Sequence, residues 1–427
     1  MANEATRRTF LQSTAIAATT GVALLQTPGV YAAEANNKQL KVGLIGCGGR
    51  GSGAVANAMD ADANCKLVAM CDMFGDRLTS SLKNLGDSYG KRVEVPTERQ
   101  YTGFDGYQKL IDSDVDVVLL CTAPGFRPIH LAYAVEKGKH VFMEKPHATD
   151  ATGVRSVLES VKKAKEKKLS LVSGFTYRYD AFKRDTVKRI HDGAIGDVQT
   201  IHTTYLTGDL WYRGHENDTP MEYQLRNWYY YPWLSGDFLV EQHIHSIDKA
   251  AWVMKGEMPI SASGMGGRQS RTEKKYGHIY DHFTTVYEYA SGAKVFSQCR
   301  QAAGCFGDTR DFVYGTKGTA ELQAHVIKPF GGATWTHEGK HDLNNAYLQE
   351  HIELFDSIRH EKAINDGESS AYSTLMGLMG REAAYSGKKI TWKQMLESKQ
   401  NLQPAKYALD ADVPNFAVPV PGKYKFV

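Results

Sequence analysis

The sequence lacks several features that would assign the protein to a simple class. Its six cysteines include no Cys-x-x-Cys pair, so neither a metal site nor an obligatory disulfide framework is predicted. The net charge of +3 comes from charges of both signs spread along 427 residues, which argues against a nucleic-acid partner. No apolar run reaches the ~20 residues that a membrane-spanning helix needs. Internal repeats and low-complexity segments are also missing. These absences leave a globular protein with enough residues for two domains.

Residues 1–35 have the pattern of an export signal. The segment Thr6-Arg7-Arg8-Thr9-Phe10-Leu11 carries paired arginines and precedes a weakly apolar stretch over Ser13–Leu25. Val30-Tyr31-Ala32 and Ala33-Glu34-Ala35 then offer the small-residue spacing that a signal peptidase accepts. We therefore expect the twin-arginine export machinery to deliver the folded chain to the periplasm. The alternative is a disordered or membrane-anchoring N-terminus.

Short apolar runs alternate with amphipathic segments from Leu40 to about Phe175. The runs are Lys41–Ile45, Leu67–Cys71, Val117–Cys121, His140–Met143 and Leu169–Gly174. Amphipathic stretches such as Pro128–Lys137 and Thr152–Lys167 lie between them. This alternation is typical of a parallel sheet covered on both faces. The predicted fold class is α/β, with a doubly wound Rossmann domain over residues 39–176.

The pattern changes after Tyr177. Strand-like segments over 198–205, 283–289 and 293–299 follow one another without a helix between each pair, which indicates an open, mostly antiparallel sheet. Helices are predicted over Glu241–Met254, Leu348–Arg359 and Ser373–Tyr385. We therefore predict an α+β domain over residues 177–402. Residues 403–427, with Pro414, Pro419 and Pro421, are predicted to form an extended tail.

A glycine-rich fingerprint follows the first predicted strand. The segment Gly46-Cys47-Gly48-Gly49-Arg50-Gly51 closes the apolar run Val42–Ile45, and Asp72 ends the second run. In this setting the glycines let the backbone approach a pyrophosphate at a helix N-terminus. The Asp72 carboxylate can accept hydrogen bonds from ribose hydroxyls and would repel a 2′-phosphate. The predicted cofactor is NAD, with NADP less favoured; the alternative is a vestigial fold with an empty crevice. The residues assigned to it are Gly46, Gly48, Gly49, Arg50, Gly51 and Asp72.

The strand over residues 140–143 ends in Glu144-Lys145-Pro146. This places Lys145 at the carboxyl edge of the parallel sheet, where ligands bind in this architecture. The following proline disfavours helical backbone at Lys145 and helps to fix its direction. Together with the fingerprint, the motif resembles the Gfo/Idh/MocA family of sugar and polyol oxidoreductases over about residues 39–400. The resemblance implies a substrate site on the C-terminal open-sheet domain, with Glu144 and Lys145 beside the cofactor and Lys145 acting on substrate.

Members of that family usually carry an Asp-x-Gly-x-His-x-x-Asp pattern. The matching stretch here runs from Glu241 to Asp248, with Glu241 in place of the aspartate and His243 in place of the glycine. The i, i+4 spacing puts Glu241 and His245 on one face of a helix, where the imidazole can act as a base and the carboxylate can bind or orient substrate. Lys145, Glu241 and His245 are therefore the predicted catalytic residues; the alternative for His245 is a packed core histidine. His243 is predicted to contact substrate from another face, and because an i, i+2 pair does not converge, no catalytic metal is expected.

Two further segments correspond to family motifs. Residues 122–130 stand where the family has Thr-Pro-Asn-x-x-His, so Thr122, Pro124 and His130 are predicted cofactor contacts, without the usual asparagine. In the segment Gly174–Tyr179, Arg178 and Tyr179 are predicted either to face the substrate or to hold the domain junction.

Aromatic residues are concentrated between residues 211 and 252, which hold four of the six tryptophans. Flat aromatic walls with a few charged donors suit sugars, so Trp228 and Arg226 are predicted to bind substrate. The alternative is a packed interface or an oligomer contact.

The combined interpretation is an exported oxidoreductase that moves a hydride between NAD(H) and a secondary alcohol of a sugar, glycoside or cyclic polyol. Lys145 would donate a hydrogen bond to the reacting oxygen, and His245 would shuttle the proton. Because free dinucleotide is scarce outside the cytoplasm, the cofactor is expected to stay tightly bound. The alternatives are a glycosidase that works by oxidation, elimination and reduction, and a non-catalytic sugar- or nucleotide-binding protein. A homodimer or homotetramer is expected from the family's exposed sheet faces.

Overall fold

Two β-sheets, of six and nine strands, organise the chain. The computed structural model describes residues 36–214 and 217–427, so the predicted export signal over residues 1–35 lies outside the described residues. Among the helices of the described part, none combines the length and apolar character that crossing a membrane requires.

The first sheet is entirely parallel, in the order β3-β2-β1-β4-β5-β6. Its strands are β1 Leu40–Ile45, β2 Cys65–Asp72, β3 Gln100–Thr102, β4 Val117–Leu120, β5 His140–Met143 and β6 Leu171–Ser173. The apolar runs are continuous because both faces of the sheet are covered. The strand order reverses between β1 and β4, and the crevice at their carboxyl ends is where ligands bind in this architecture.

Helices cover this sheet from two parts of the chain. The helices that follow its strands are α1 Gly49–Ala61, α2 Gly75–Tyr89, α3 Gly106–Asp112, α4 Arg127–Glu136 and α5 Ala151–Glu166. A much later helix over Leu343–Arg359 also packs on α1 and contributes Leu354, Phe355 and Ile358 to the core of this sheet. The core of the first sheet therefore includes residues that follow the domain boundary predicted at residue 176.

The second sheet has the order β14-β13-β12-β11-β7-β10-β9-β8-β15, and all its pairs are antiparallel except β7 with β10. Its strands are β7 Val198–Thr207, β8 Ser261–Gly267, β9 His282–Glu288, β10 Lys294–Gln301, β11 Asp311–Gly315, β12 Gly318–Glu321, β13 Val326–Pro329, β14 Trp335–Thr336 and β15 Ile390–Thr391. Buried and exposed residues alternate along β10, so one face of the sheet is covered and the other faces solvent. The α/β prediction with a second, mostly antiparallel sheet is confirmed.

The remaining helices are α6 Ala181–His191, α7 Pro220–Arg226, α8 Pro232–Ser235, α9 Phe238–Glu241, α10 Ile244–Val253, α11 Leu343–Arg359, α12 Gly367–Ser386 and α13 Trp392–Glu397. Helices α10 and α12 pack on the covered face of the second sheet. The single helix predicted over Glu241–Met254 is wrong, because the chain turns at residues 242 and 243 between α9 and α10. Residues 403–427 contain neither helix nor strand.

Candidate active site

The turn from β1 into α1 provides a cradle for a phosphate. Gly46 has a φ of +99°, and a Cβ atom on Gly51 would lie 1.8 Å from the Gly46 carbonyl oxygen, so neither position tolerates a side chain. Cβ atoms on Gly48 and Gly49 would instead enter open space. Helix α1 begins at Gly49, so its free N–H groups and positive dipole end face this space. The predicted glycines therefore fit a dinucleotide pyrophosphate.

Asp72 ends β2 and braces the same turn. One of its carboxylate oxygens accepts a hydrogen bond from the backbone N–H of Cys47 at 2.7 Å, and the other accepts one from Phe74 at 2.9 Å. Burial raises the pKa of Asp72, while the two backbone donors act against the rise. The carboxylate also lines the crevice beside the glycines, the position predicted for a ribose partner.

A cavity of about 350 Å³ runs along this turn and is walled by both parts of the chain. Gly48, Asp72 and Arg77 line it from the first sheet's side. Trp211 and Arg213 line it from the segment that follows β7, and the Arg213 guanidinium lies 4.1 Å from the Trp211 ring centroid. The sequence prediction did not single out Arg213, since no motif marks it.

A second cavity of about 270 Å³ adjoins the first and shares lining residues such as Arg50, Thr122 and Trp228 with it. The three predicted catalytic residues, Lys145, Glu241 and His245, all line this second cavity. The structure therefore brings the Lys145 motif and the Glu241–His245 segment together at the end of the dinucleotide crevice.

Lys145 and Glu241 form a largely buried ion pair. Lys145 Nζ donates hydrogen bonds to Glu241 Oε1 at 2.8 Å and to the Glu241 carbonyl oxygen at 2.5 Å. Glu241 Oε2 is buried and has no hydrogen-bond partner among the described residues. A buried carboxylate oxygen of this kind needs a donor. It is therefore suited to a hydroxyl group of a ligand.

His245 lies in the first turn of α10, with its ring edge-on to the rings of Phe175 and Tyr177. Burial, reinforced by the nearby Lys145 and Lys249 cations, holds the pKa of His245 well below its usual value. The imidazole is therefore neutral near neutral pH and can accept a proton. Its Nδ1 has no partner within the described residues. Glu241 and His245 line one cavity from two helices, rather than one face of a single helix as predicted.

Arg50 is fixed between two carboxylates. Its guanidinium pairs with Glu144 and, at 2.9 Å, with Glu350, and it stacks 4.8 Å from the ring centroid of Tyr347. Glu144 also accepts a hydrogen bond from the Lys145 backbone N–H at 3.2 Å. Glu350 and Tyr347 lie on α11, so they escaped the sequence prediction, which had no means of bringing that helix to the crevice.

The residues predicted from the 122–130 segment separate into two groups. Thr122 lines both cavities and Pro124 lines the second. His130 lies behind them, 3.4 Å from the Thr122 hydroxyl, with its ring 4.3 Å from that of Tyr107. The structure places it outside both cavities, so the cofactor contact predicted for His130 is not direct.

His243 is not in the cavity. The turn between α9 and α10 directs it into the second sheet, where its Nε2 lies 3.2 Å from the Thr203 hydroxyl and 2.7 Å from the Ser297 hydroxyl. Because its side chain is fully buried against β7 and β10, the substrate contact predicted for His243 does not fit the structure.

Arg178 and Tyr179 hold the junction rather than the cavity. Arg178 forms a two-pronged ion pair with Asp248, and the Tyr179 hydroxyl donates to Asp366 at 2.7 Å. Of the two possibilities left by the sequence, their contacts favour the structural one.

Two tryptophans of the predicted aromatic segment line the cavities: Trp228 lines both, and Trp211 lines the first. Arg226 lies at their margin, with its guanidinium 3.8 Å from the Phe74 ring centroid and 3.3 Å from Asp76. The structure therefore gives Arg226 a packing role beside the crevice.

Comparisons with known proteins agree with this geometry. Residues 40–173 match the family model described as "Oxidoreductase family, NAD-binding Rossmann fold", and residues 184–321 match "GFO/IDH/MocA C-terminal domain". Inositol 2-dehydrogenase 3 of Saccharopolyspora erythraea is 28% identical over 333 residues, covering 76% of this chain and 86% of the relative. Glycosyl hydrolase family 109 protein 1 of Bacteroides fragilis is 28% identical over 176 residues, covering 40% of this chain and 36% of the relative. The crystal structure of an aldose-aldose oxidoreductase from Caulobacter crescentus shares the fold, with a TM-score of 0.63, 20% identity, and coverage of 83% of this chain and 100% of that one.

Proposed function

The chain belongs to the Gfo/Idh/MocA family of oxidoreductases, which have an NAD-binding Rossmann fold, and on that premise we propose that it moves a hydride between NAD and a secondary alcohol of a polyol or sugar. The observation that carries the proposal is the Lys145–Glu241 ion pair beside a neutral His245, at the end of the dinucleotide crevice. The inositol 2-dehydrogenase relative supports a substrate that carries hydroxyl groups on adjacent carbons.

The residues divide the reaction between them. NAD, when bound, supplies the hydride acceptor. Lys145 donates a hydrogen bond to the reacting oxygen, and Glu241 orients Lys145 through the ion pair. The unpartnered Glu241 Oε2 accepts a hydrogen bond from a second substrate hydroxyl. His245 takes the proton of the reacting hydroxyl, because its imidazole is neutral and lines the same cavity.

Cofactor choice depends on charges at one end of the crevice. The Asp72 carboxylate is held in place by two backbone donors and would lie against a 2′-phosphate. Arg77 and Arg213 line the same cavity, and their positive charges would attract a 2′-phosphate. We expect the fixed carboxylate to prevail, so that NAD(H) binds at least tenfold tighter than NADP(H), a difference of about 1.4 kcal/mol or more.

Calorimetric titration of cofactor-stripped protein measures this preference. In Asp72→Ser, the two arginines keep their charge without an opposing carboxylate, so the ratio of NAD to NADP affinity should narrow or reverse. Asp76→Asn, which removes an exposed carboxylate paired with Arg226, serves as the matched control and should leave the ratio unchanged. Equal affinities of the unaltered protein for NAD(H) and NADP(H) would show that the attraction by Arg77 and Arg213 offsets the repulsion by Asp72.

The predicted export signal gives the cofactor a further constraint. Because free dinucleotide is scarce outside the cytoplasm, a protein that released its reduced cofactor there would stop after one turnover. Trp211, Arg213 and Trp228 wall the crevice opposite the glycine turn. We therefore propose that NAD stays bound through turnover and that the overall reaction is redox-neutral. In the simplest form, one sugar loses a hydride and a proton, and a second sugar carbonyl receives both.

Turnover without added cofactor tests this proposal. Purified holoenzyme is incubated with pairs of aldoses, ketoses and polyols, and product is counted against bound NAD. We expect many turnovers per bound NAD. Trp211→Ala should release the cofactor at least tenfold faster and make turnover depend on added NAD. Trp392→Ala, which removes a ring that meets Tyr372 edge-on, should do neither. Strict dependence of the unaltered protein on added NAD would refute tight retention.

A second candidate is a glycosidase that oxidises a sugar, eliminates the aglycone and reduces the product. The match to a glycosyl hydrolase family 109 protein favours it, although that match covers only 40% of this chain. Release of aglycone from nitrophenyl glycosides without added cofactor would identify this reaction. Absence of any turnover despite bound NAD would instead favour the non-catalytic binding protein.

We further propose that the chain is exported folded to the periplasm and works as a homodimer or homotetramer. Its second sheet presents exposed apolar side chains on the uncovered face, including Met265, Phe296 and Tyr314. Such a face is suited to pairing with a second copy. Light scattering of the purified protein measures the oligomeric state.

A further inference from the structure

Three side chains with metal-ligand chemistry meet beside the N-terminus of α6, outside the two cavities. Asp180 is the N-cap of α6, His325 lies in the turn between β12 and β13, and His341 precedes α11. Their ligand atoms lie within 4.8 Å of one another. The three residues come from separate parts of the chain, so no sequence motif indicates the cluster.

The two oxygens of Asp180 have different tasks. Oδ1 accepts hydrogen bonds from the backbone N–H groups of Phe182 at 2.9 Å and Lys183 at 3.3 Å, which caps the helix. Oδ2 lies 2.7 Å from His341 Nε2 and 3.2 Å from Lys183 Nζ. Oδ2 can therefore act as a ligand while Oδ1 continues to cap α6.

A cation already lies in this cluster. Lys183 is almost fully buried, and its ammonium group donates to His325 Nε2 at 3.1 Å as well as contacting Asp180 Oδ2. His325 Nε2 accepts this hydrogen bond through the same lone pair that a metal ion would use.

Aromatic packing holds the histidines in place. The Phe182 ring lies 5.3 Å from the rings of both His325 and His341, and 3.7 Å from that of His337, on which it stacks. An apolar shell that fixes ring orientation and limits water is the usual surrounding of a metal site.

We propose that Asp180, His325 and His341 form a binding site for a divalent cation of the zinc type, and that the ammonium group of Lys183 occupies this place in the metal-free protein. Two imidazoles and one carboxylate are a ligand set that Zn²⁺ accepts, with a fourth position left for water. The metal displaces the ammonium group of Lys183. It would fasten the β12–β13 turn and the segment before α11 to the start of α6. The sequence predicted no metal site, and this cluster departs from that prediction because its three ligands lie far apart in the chain.

Metal titration of the full chain, first treated with a chelator, tests the proposal. Calorimetry with Zn²⁺ and absorption spectra with Co²⁺ should each report about one equivalent bound. His325→Gln and His341→Gln should each weaken binding at least tenfold. Lys183→Met removes the competing cation and should bind Zn²⁺ at least as tightly as the unaltered chain. His360→Gln, which removes a surface histidine 3.0 Å from Asp356, is the matched control and should bind normally.

Two results would overturn the proposal. One is that the unaltered chain binds no Zn²⁺ or Co²⁺ at millimolar concentration. The other is that the His325 and His341 variants bind as the His360 variant does. Thermal melts identify any variant that fails to fold, and in that case Lys183→Met decides, because weaker binding in that variant would show that the metal does not compete with the ammonium group.

Discussion

Replacing His245 by alanine should lower turnover by a factor of about 10² to 10⁴, and replacing Lys145 by alanine should have an effect of the same size. A positioned proton-transfer group usually contributes a factor in this range. His245 is the neutral base of the cavity, and Lys145 carries N–H donors that can stabilise a developing negative charge on the reacting oxygen. Steady-state rates on the true substrate, with kcat and KM separated, provide the measurement.

Matched variants separate chemistry from folding. NAD content should survive His245→Ala, because His245 lines the second cavity and not the first. Glu241→Gln should raise KM more than it lowers kcat, since the carboxylate orients Lys145 and binds a substrate hydroxyl. His202→Ala, on a histidine of β7 that contacts Gln298, is the control and should leave both parameters unchanged. Near-normal rates in the His245 variant would remove it from the mechanism.

Acidification from pH 7.5 to pH 5 should lower the free energy of unfolding by several kcal/mol. Burial lowers the pKa of His130, His147 and His243 from 6.5 to about 3, and it holds that of His245 and His351 well below 6.5. As the pH falls through 6.5, these groups bind protons in the unfolded chain but not in the folded one. Their stabilisation is therefore complete above that pH and is lost below it, at about 1.36 kcal/mol per pH unit, or about 2 kcal/mol for each histidine at pH 5.

Buried carboxyl groups oppose this loss. Burial raises the pKa of Asp237 and Asp366 to about 6, and that of Glu350 well above its usual value. The folded state binds these protons first, so Asp237 and Asp366 each return about 1 kcal/mol as the pH falls towards 5, and Glu350 acts in the same direction. Five histidines outweigh three carboxyl groups. Urea unfolding at pH 5 and pH 7.5 measures the difference.

His351 offers a direct test of this cause. Its side chain is fully buried against the Phe142 ring, and neither of its nitrogens has a hydrogen-bond partner among the described residues. His351→Met should therefore reduce the acid-induced loss by about 2 kcal/mol. His360→Met, at the exposed end of α11, should not change it. An unaltered pH dependence in the His351 variant would contradict the assignment.

The sequence predicted most reliably what is determined locally. The glycine turn, Asp72 and Lys145 follow strand ends, and parallel strands bring their carboxyl ends to one edge. The position of His243 could not be predicted, because the break between α9 and α10 depends on packing against β7 and β10.

Side-chain contacts between residues far apart in the chain also could not be predicted from the sequence. Arg178 and Tyr179 find their partners in Asp248 and Asp366, and nothing near Arg178 in the chain indicates either partner. For the same reason, the amphipathic pattern of α11 indicated a helix but not the sheet that it covers.

The position of α11 has a consequence for synthesis. The ribosome makes the dinucleotide fold first, yet one layer of its core, with Leu354, Phe355 and Ile358, is translated more than halfway through the remaining chain. Glu350, which holds Arg50 over the crevice, emerges at the same late stage. A nascent chain stopped after β6 would have a sheet that lacks one covering helix and an Arg50 that lacks one of its two carboxylate partners. The finished cofactor crevice therefore has to wait for the synthesis of α11.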